Sequence, residues 1–237
     1  MKMDFSGNVE LAEIHGLKSQ NVDMHSHLLP AFDDGVEDLK HSLEIIRQIK
    51  QKSAEALFWT PHLNLSSFKQ ITKDTINGHF SKYADIIERE TGIKLFCGSE
   101  LFCNPPIPEK LVPLGNSDFV LIEFPLDVYP RYLFDTIYNI QISGYRVVMA
   151  HVERYQWLFP KKKRLLKTSI DYSLVEELKS KGVYFQINFS TLINLKLHKE
   201  LVPILKEKKV EFIGSDKHHD RDNRPLIDFF VLNEIDV

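Results

Sequence analysis

The sequence predicts an α/β fold in which about seven parallel strands alternate with helices and close into a distorted, TIM-like β/α barrel. Short apolar runs bounded by Gly, Pro or polar residues recur along the chain, and amphipathic helical stretches separate them. Strands alternating with helices favour a parallel sheet, and about seven such units in one domain favour a barrel. An open doubly wound sheet is the alternative, but the sequence has no Gly-rich fingerprint for its switch-point crevice.

The predicted strands are apolar runs that are mostly too short to be helices. They cover residues 22–24, 56–59, 94–97, 119–122, 146–149, 183–187 and 210–213. The predicted helices cover residues 38–52, 72–90, 132–143, 173–181 and 198–208. In the first of these helices, Leu39, Leu43 and Ile46 fall on one face at helical spacing. Gly92 and Gly182 follow two of the helices as stop signals.

The length of 237 residues fits one substantial domain. We expect an N-terminal extension at residues 1–20 and a single barrel domain at residues 21–237. The formal charge of −3 gives no basic footprint for nucleic acid. The short basic run Lys161–Arg164 predicts a solvated loop. No apolar stretch approaches the roughly 18 residues that span a bilayer, so we expect no membrane insertion and a cytoplasmic protein.

The two cysteines, Cys97 and Cys103, are consistent with a cytoplasmic protein. Cys97 lies in an apolar run, which predicts a buried free thiol. Neither cysteine belongs to a paired Cys motif, and neither begins the Cys-plus-Arg phosphate loop of classical tyrosine phosphatases. The sequence therefore excludes a cysteine nucleophile of that kind.

Imidazoles and carboxylates follow six of the seven predicted strands. These residues are His25, His27, His62, Glu100, Glu123, His151, Asp216 and His218. In a β/α barrel the carboxyl ends of the strands converge on one face, where active sites are built. One such residue alone would be an ordinary core or surface side chain, but chance does not account for all of them. So many carboxylates in a small volume are unfavourable unless cations lie among them.

The spacing and chemistry of these residues indicate more than one metal ion. His25 and His27 are two positions apart, so on a strand they point to the same side. Asp216 and His218 repeat that geometry. Nitrogen and oxygen ligands without thiolate fit manganese, iron or zinc. The candidates exceed what one ion can use, and a carboxylate such as Glu100 can bridge two.

Several motifs together resemble one known family. The stretch from Asp23 to Gly35, which contains the His25-Ser26-His27 segment, resembles the first motif of the polymerase and histidinol phosphatase (PHP) superfamily. It is most similar to the CpsB/YwqE branch, bacterial metal-dependent protein tyrosine phosphatases encoded with capsule and exopolysaccharide genes. Further matches lie at residues 60–62, 121–125, 150–155 and 214–219. The resemblance extends from about Asp23 to Arg224 and implies a barrel of the PHP type.

The resemblance also implies a trinuclear site. By the family pattern, the first metal would be held by His25, His27, Glu100 and Asp216, the second by Glu100, Glu123 and His151, and the third by Asp34, His62 and His218. Asp34 matches by its spacing from His27, although a one-residue slip to Asp33 stays open. Two or three divalent ions are expected, with manganese first and iron, zinc or magnesium as alternatives. Arg154 and Arg224 match the arginines that bind phosphate in the family, and a guanidinium meets phosphate oxygens two at a time; a salt bridge at the barrel rim is the alternative for Arg154.

The function implied by the resemblance is hydrolysis of phosphotyrosine on protein by a metal-activated hydroxide. The expected substrate is the tyrosine-rich tail of a bacterial tyrosine kinase that controls capsule or exopolysaccharide synthesis, and an oligomer is compatible with the family. Histidinol phosphatases usually have His where this chain has Asp34 and Glu123, which favours the tyrosine phosphatase branch. Two alternatives stay open: a small-molecule phosphoesterase similar to histidinol phosphatase, and a non-catalytic regulator that binds phosphotyrosine.

Overall fold

The computed structural model describes residues 5–164 and 167–235. Its strands are β1 (Val22–Asp23), β2 (Ala56–Trp59), β3 (His62–Leu63), β4 (Lys94–Cys97), β5 (Glu100–Phe102), β6 (Phe119–Glu123), β7 (Arg146–Met149), β8 (Lys161–Arg164), β9 (Lys167–Ile170), β10 (Tyr184–Asn188) and β11 (Phe212–Gly214). Its α-helices are α1 (Ser6–Ile14), α2 (Leu39–Gln51), α3 (Lys73–Thr91), α4 (Leu133–Ile142), α5 (Ser173–Ser180), α6 (Phe189–Ile193), α7 (Leu201–Lys206) and α8 (Phe229–Leu232).

Local sequence signals account for the ends of the longer helices. Asp38 caps α2, since its side chain accepts a hydrogen bond from the backbone N–H of His41. Thr72 and Thr75 form a reciprocal capping box at the start of α3. Gly92 ends α3 in the left-handed conformation, which a residue without Cβ adopts at no steric cost.

The parallel strands are arranged in two sheets. One has the order β1-β2-β4 and the other the order β11-β10-β7-β6-β5-β3. The second sheet curls into a half barrel. The predicted parallel α/β architecture is confirmed, but the strands form these two sheets rather than one uninterrupted sheet of seven strands. The strands are interrupted for two residues between β2 and β3 and again between β4 and β5, and His62 and Glu100 directly follow these interruptions.

Two apolar layers position the strand ends. Inside the curl, alternate residues of the strands form a small core of Val22, Met24, Ala56, Phe58, Phe119, Leu121, Val148, Ala150 and Phe212, closed by Leu11, Ala12 and Leu114. The other, larger core fills the space between the strands and the surrounding helices. The period of two along each strand separates the two layers, so a register slip of one residue would exchange them.

Helix α1, within the predicted extension 1–20, closes the amino-terminal end of the curl. Asn8 donates hydrogen bonds to the carbonyl oxygens of Val22 (2.8 Å) and Ile213 (3.1 Å) and accepts one from the N–H of Ile213 (2.9 Å). A Cβ on Gly7 would lie 2.3 Å from the ring of Phe212, so glycine is required at this contact. The helix thereby joins β1 to β11.

Some sequence predictions differ from the structure. The basic run Lys161–Arg164 is strand β8 of an antiparallel hairpin with β9, not a loop, although Lys161 and Lys162 are exposed. The helix predicted at residues 198–208 is shorter, α7, and a separate 3-10 turn at Leu195–Leu197 precedes it. The helices α1, α6 and α8 and the short strands β3 and β5 were not predicted. Among the described residues, no helix is both long enough and apolar enough to cross a membrane.

Candidate metal centre

All nine predicted metal ligands meet at the carboxyl ends of the strands. Eight of them are buried, and Asp34 is exposed. Donor atoms of eight of them fall into overlapping groups that could each hold an ion: a first group of His25, His27 and Asp216, a second of His62, Glu100 and Glu123, and a third of His27, Asp34, His62 and His218. The ninth residue, His151, lies beside Glu100 of the second group. The convergence expected from the strand-end pattern is therefore present.

The first group surrounds one small volume. The Nε2 atoms of His25 and His27 lie 3.3 Å apart. The Oδ1 atom of Asp216 lies 3.6 Å from His25 Nε2 and 3.7 Å from His27 Nε2. Glu100 places Oε1 3.5 Å from His25 Nε2 and Oε2 3.5 Å from His27 Nε2. Neither carboxylate lies at an ideal hydrogen-bond distance from both imidazoles. The two imidazole nitrogens and the two carboxylates are instead spaced as the ligands of one cation would be.

The second group lies on the other side of Glu100. His151 Nε2 is 2.8 Å from Glu100 Oε1 and 3.5 Å from Glu123 Oε1. His62 Nδ1 is 3.0 Å from Glu100 Oε2. Each oxygen of Glu100 faces one imidazole of the first group and one imidazole on this side, so this carboxylate could serve ions in both groups.

The third group is nearest to solvent. The Oδ1 atom of Asp34 lies 3.3 Å from His62 Nε2 and 3.5 Å from His218 Nε2. His218 Nδ1 lies 3.0 Å from the carbonyl oxygen of Asp216, to which it donates as Nδ1–H. That hydrogen bond leaves the Nε2 lone pair of His218 free for a cation.

Asp33 has a different position from its neighbour Asp34. Its Oδ2 accepts hydrogen bonds from His27 Nδ1 (2.7 Å) and from the backbone N–H of His62 (3.1 Å), and its Oδ1 accepts one from Gly35 N–H (3.1 Å). Its carboxylate thus fixes the imidazole of His27 with Nε2 directed at the first group. A carboxylate behind a metal-binding histidine orients the ring and raises its basicity.

Gln186 and Asn188 on β10 connect the first group to the second, and sequence reasoning missed both. Gln186 Oε1 accepts from the backbone N–H of His151 (2.7 Å) and lies 3.2 Å from His25 Nδ1. Gln186 Nε2 donates to Asn188 Oδ1 (2.9 Å), and Asn188 Nδ2 donates to Asp216 Oδ2 (3.1 Å). Both lie at the end of a predicted strand, which is the signal that the sequence offers for them, but an amide by itself does not indicate a metal site.

The backbone at two of the proposed ligands is strained. His151 has φ of 32° and Asp216 has φ of 54°, both in the left-handed region that non-glycine residues rarely adopt. Such conformations persist only where the surrounding structure imposes them, and they cluster at functional sites. Here they turn the side chains of two strand ends back toward the centre of the curl.

The electrostatics of the cluster favour bound cations. Burial opposes the charged form of His62, but hydrogen bonds with Asp34 and Glu100 outweigh it and raise its pKa to about 11. Burial also opposes charge on His27, yet the Asp33 and Glu100 carboxylates raise its pKa to about 9. Burial, followed by repulsion from Glu100, raises the pKa of Glu123 to about 8. These groups retain protons at neutral pH, and divalent ions would displace them on binding.

The two predicted arginines flank the first group. Arg154 Nη1 lies 3.5 Å from Asp216 Oδ2, and Arg224 Nη1 donates to the same oxygen at 2.6 Å. Both arginines line an open cavity of about 610 Å³ beside the metal ligands. The loop of Arg224 is held by Lys217, whose Nζ donates to the carbonyl oxygens of Asp222 (2.5 Å) and Arg224 (2.8 Å). The two guanidinium groups therefore lie close to the proposed metal ligands, where they could bind an anion in the cavity.

Neither cysteine is suited to act as a nucleophile. Cys97 is half-buried rather than fully buried as predicted, and Cys103 is buried; both are free thiols. Burial raises the pKa of Cys97 to about 12 and that of Cys103 well above its usual range. A thiolate is the reactive form, and neither thiol reaches it at neutral pH.

Comparison with known proteins agrees with these features. Residues 21–230 match the family model described as capsular polysaccharide synthesis, CpsB/CapC. The chain is 27% identical over 206 residues to tyrosine-protein phosphatase YwqE of Bacillus subtilis (84% of this chain, 77% of the relative). It is 30% identical over 212 residues to tyrosine-protein phosphatase CpsB of Streptococcus agalactiae (84% of this chain, 83% of the relative).

A solved structure also matches most of the chain. It comes from work on the crystal structures of YwqE from Bacillus subtilis and CpsB from Streptococcus pneumoniae, described as unique metal-dependent tyrosine phosphatases. The similarity has a TM-score of 0.68 at 25% sequence identity and covers 86% of this chain and 81% of the solved one. By its sequence match over residues 21–230, the chain belongs to the capsular polysaccharide synthesis CpsB/CapC family.

Proposed function

We propose that this protein is a metal-dependent phosphatase that hydrolyses phosphotyrosine on protein. The observation that carries the proposal is the cavity in which two arginines stand beside a buried cluster of imidazoles and carboxylates. Such a site combines cation binding with the recognition of phosphate. The relatives named as tyrosine-protein phosphatases support the same activity.

Three metal positions are proposed, with manganese as the first candidate and iron, zinc or magnesium as alternatives. His25, His27, Glu100 and Asp216 would hold the first ion, Glu100, Glu123 and His151 the second, and Asp34, His62 and His218 the third. The donor distances given above support these sets. Asp34 is preferred over Asp33 as the ligand, because Asp33 already accepts three hydrogen bonds.

When bound, divalent cations supply Lewis-acid stabilisation of the phosphoryl oxygens and activate water for attack. The chain's own residues position the substrate. Arg154 and Arg224 would bind the phosphoryl oxygens through planar pairs of N–H donors. Arg224 is preorganised, because Asp222 accepts from its Nε at 2.7 Å and Lys217 holds its loop. Preorganised donors aimed at developing charge contribute most to such a reaction.

We regard the two sheets as one distorted seven-stranded barrel of the PHP type within a single domain, residues 21–237, and the bridge between Ser26 and Lys217 supports its closure. The free thiols are consistent with a cytoplasmic location. The tyrosine-rich tail of a bacterial tyrosine kinase that controls capsule or exopolysaccharide synthesis is the proposed substrate, and an oligomer is compatible with this proposal.

The experiment compares substrates and metals in one protein preparation. Chelator-treated protein should be inactive, and manganese should restore hydrolysis of a phosphotyrosine peptide. Histidinol phosphate and sugar phosphates are assayed in parallel at equal concentration. Faster hydrolysis of the small molecules would favour the histidinol-phosphatase-like alternative. Peptide binding without hydrolysis in the metal-loaded protein would favour the non-catalytic regulator, and full activity of metal-free protein in chelator would refute the proposal.

A further inference from the structure

A second groove lies beside the metal centre at the carboxyl ends of β3 and β5. Its volume is about 470 Å³, and its walls include Leu63, which directly follows His62, and Phe102, two residues after Glu100. The ring of Phe68, at the end of a 3-10 turn on the same side, stacks on His62 with ring centroids 6.1 Å apart. The groove therefore begins at strand ends that also carry proposed metal ligands.

The charged residues of this groove are mainly cationic. Lys69, Lys73 and Lys110 line it, and Asp74 is the one acidic residue among its lining residues. Within residues 5–164 and 167–235, none of these lysines forms an ion pair with a carboxylate. Helix α3 begins at Lys73, and the partial positive charge of its N-terminus adds to that of the lysines. The electrostatic potential of the groove is therefore positive, which favours a ligand with negative charge.

The groove has a largely apolar floor and a braced wall. Leu63 and Ile71 are buried beneath it, with exposed fractions of 2% and 5%. Asn64 Nδ2 donates to the carbonyl oxygens of Phe102 (3.0 Å), Asn104 (3.0 Å) and Pro106 (3.3 Å). These bonds join the two walls across the groove. A groove already held in shape loses less conformational entropy when a flexible segment binds.

We propose that this groove binds the segment of the phosphoprotein next to the phosphotyrosine and selects acidic residues there. The inference rests on the proposed function. His62 and Leu63 are consecutive, so the groove begins about 4 Å along the chain from a proposed metal ligand. A few residues of extended peptide, at about 3.3 Å each, span from the phosphate position into it. Apolar side chains of the segment would cover Leu63 and Ile71, and its carboxylates would meet the lysines.

The test uses three phosphotyrosine peptides of equal length, with Glu, Ala or Lys on both sides of the phosphotyrosine, and phenyl phosphate as a substrate without flanking residues. The groove variant is Lys69→Glu/Lys110→Glu. The matched control is Lys40→Glu/Lys161→Glu, which changes the net charge equally at exposed positions outside the groove lining. All proteins are assayed with manganese at low and high salt.

The wild type should prefer the Glu peptide to the Lys peptide, and salt should weaken that preference. The groove variant should lose roughly tenfold in kcat/KM on the Glu peptide, mainly through KM, as two exposed charge reversals allow. The control should keep wild-type values, and phenyl phosphate should be hydrolysed equally by all three proteins. The inference is overturned if the control variant loses as much kcat/KM as the groove variant, or if the wild type hydrolyses the Glu and Lys peptides equally well. Either result leaves the proposed function intact. Failure of the wild type to hydrolyse any substrate with manganese overturns both.

Discussion

The neighbouring carboxylates Asp33 and Asp34 are expected to fail in different ways when each is changed to Asn. Asp33→Asn keeps one acceptor oxygen, whereas the native carboxylate accepts three hydrogen bonds, one of them from His27 Nδ1 at 2.7 Å. At least one donor then faces the amide NH₂ group. Asp34→Asn instead removes the only carboxylate of the most exposed ligand group, beside His62 and His218.

The size of each effect follows from these contacts. Loss of a partner behind a metal-binding histidine costs about 10- to 100-fold in metal affinity, which is about 1.4–2.7 kcal/mol. Asp33→Asn should therefore weaken the ion at His25 and His27 while retaining the full number of sites at saturating metal. Asp34→Asn should lower the stoichiometry by up to one ion and leave the affinity of the others nearly unchanged.

The assay is a manganese titration of chelator-treated protein, with metal content measured after desalting. Thermal unfolding at increasing manganese gives an independent affinity, since a ligand that binds only the folded state raises the Tm according to its Kd. If Asp33→Asn loses one whole ion and Asp34→Asn loses none, the ligand is Asp33 and the assignment is reversed. Wild-type affinity in Asp33→Asn would show that its hydrogen bond to His27 is dispensable.

Four further variants test other parts of the protein. Arg154→Ala should keep its metal but slow hydrolysis by about 10²–10³-fold, whereas His151→Ala should lose metal and rate together; metal loss in Arg154→Ala would make that arginine structural. Cys97→Ser/Cys103→Ser should hydrolyse phosphotyrosine peptide at near the wild-type rate, and an inactive, folded, metal-loaded double variant would revive a cysteine mechanism. Gln186→Leu leaves the backbone N–H of His151 without its acceptor, so it should destabilise the protein by about 1–3 kcal/mol in urea unfolding and weaken manganese binding; unchanged values of both would refute its positioning role.

Much of the candidate metal centre was predictable because every proposed ligand except Asp34 lies at or just after the end of a predicted strand, a local property of the sequence. An apolar run followed by His or Glu marks the position, as at His62, Glu123 and His151, and parallel strands bring such ends together. The resemblance to the PHP superfamily supplied the pairing of ligands into sets. The positions of Arg154 and Arg224 in one cavity agree with the sequence prediction, but phosphate binding by them stays a prediction.

Other features depend on contacts that no local pattern shows. Gln186 acts through the backbone of His151, 35 residues away, and Asp33 differs from Asp34 only in the direction of its side chain. The interruptions between β2 and β3 and between β4 and β5 were also missed, because two-residue departures from a strand have no hydrophobic period. Helix α1 has no clear hydrophobic period in the sequence, because two of its four buried residues, Gly7 and Asn8, are not apolar.

The closure of the curl by α1 has a consequence for biosynthesis. Asn8 bonds to Ile213 across 205 residues of sequence, so its partner is made long after it leaves the ribosome. At 5–20 residues per second the interval is about 10–40 s. Throughout that time Leu11 and the inner faces of the early strands lack the later strands against which they are buried in the folded protein. Contacts of such sequence separation slow folding, so the nascent chain is exposed to aggregation until β11 is complete, and a chaperone that shields apolar segments would act on this protein mainly in that interval.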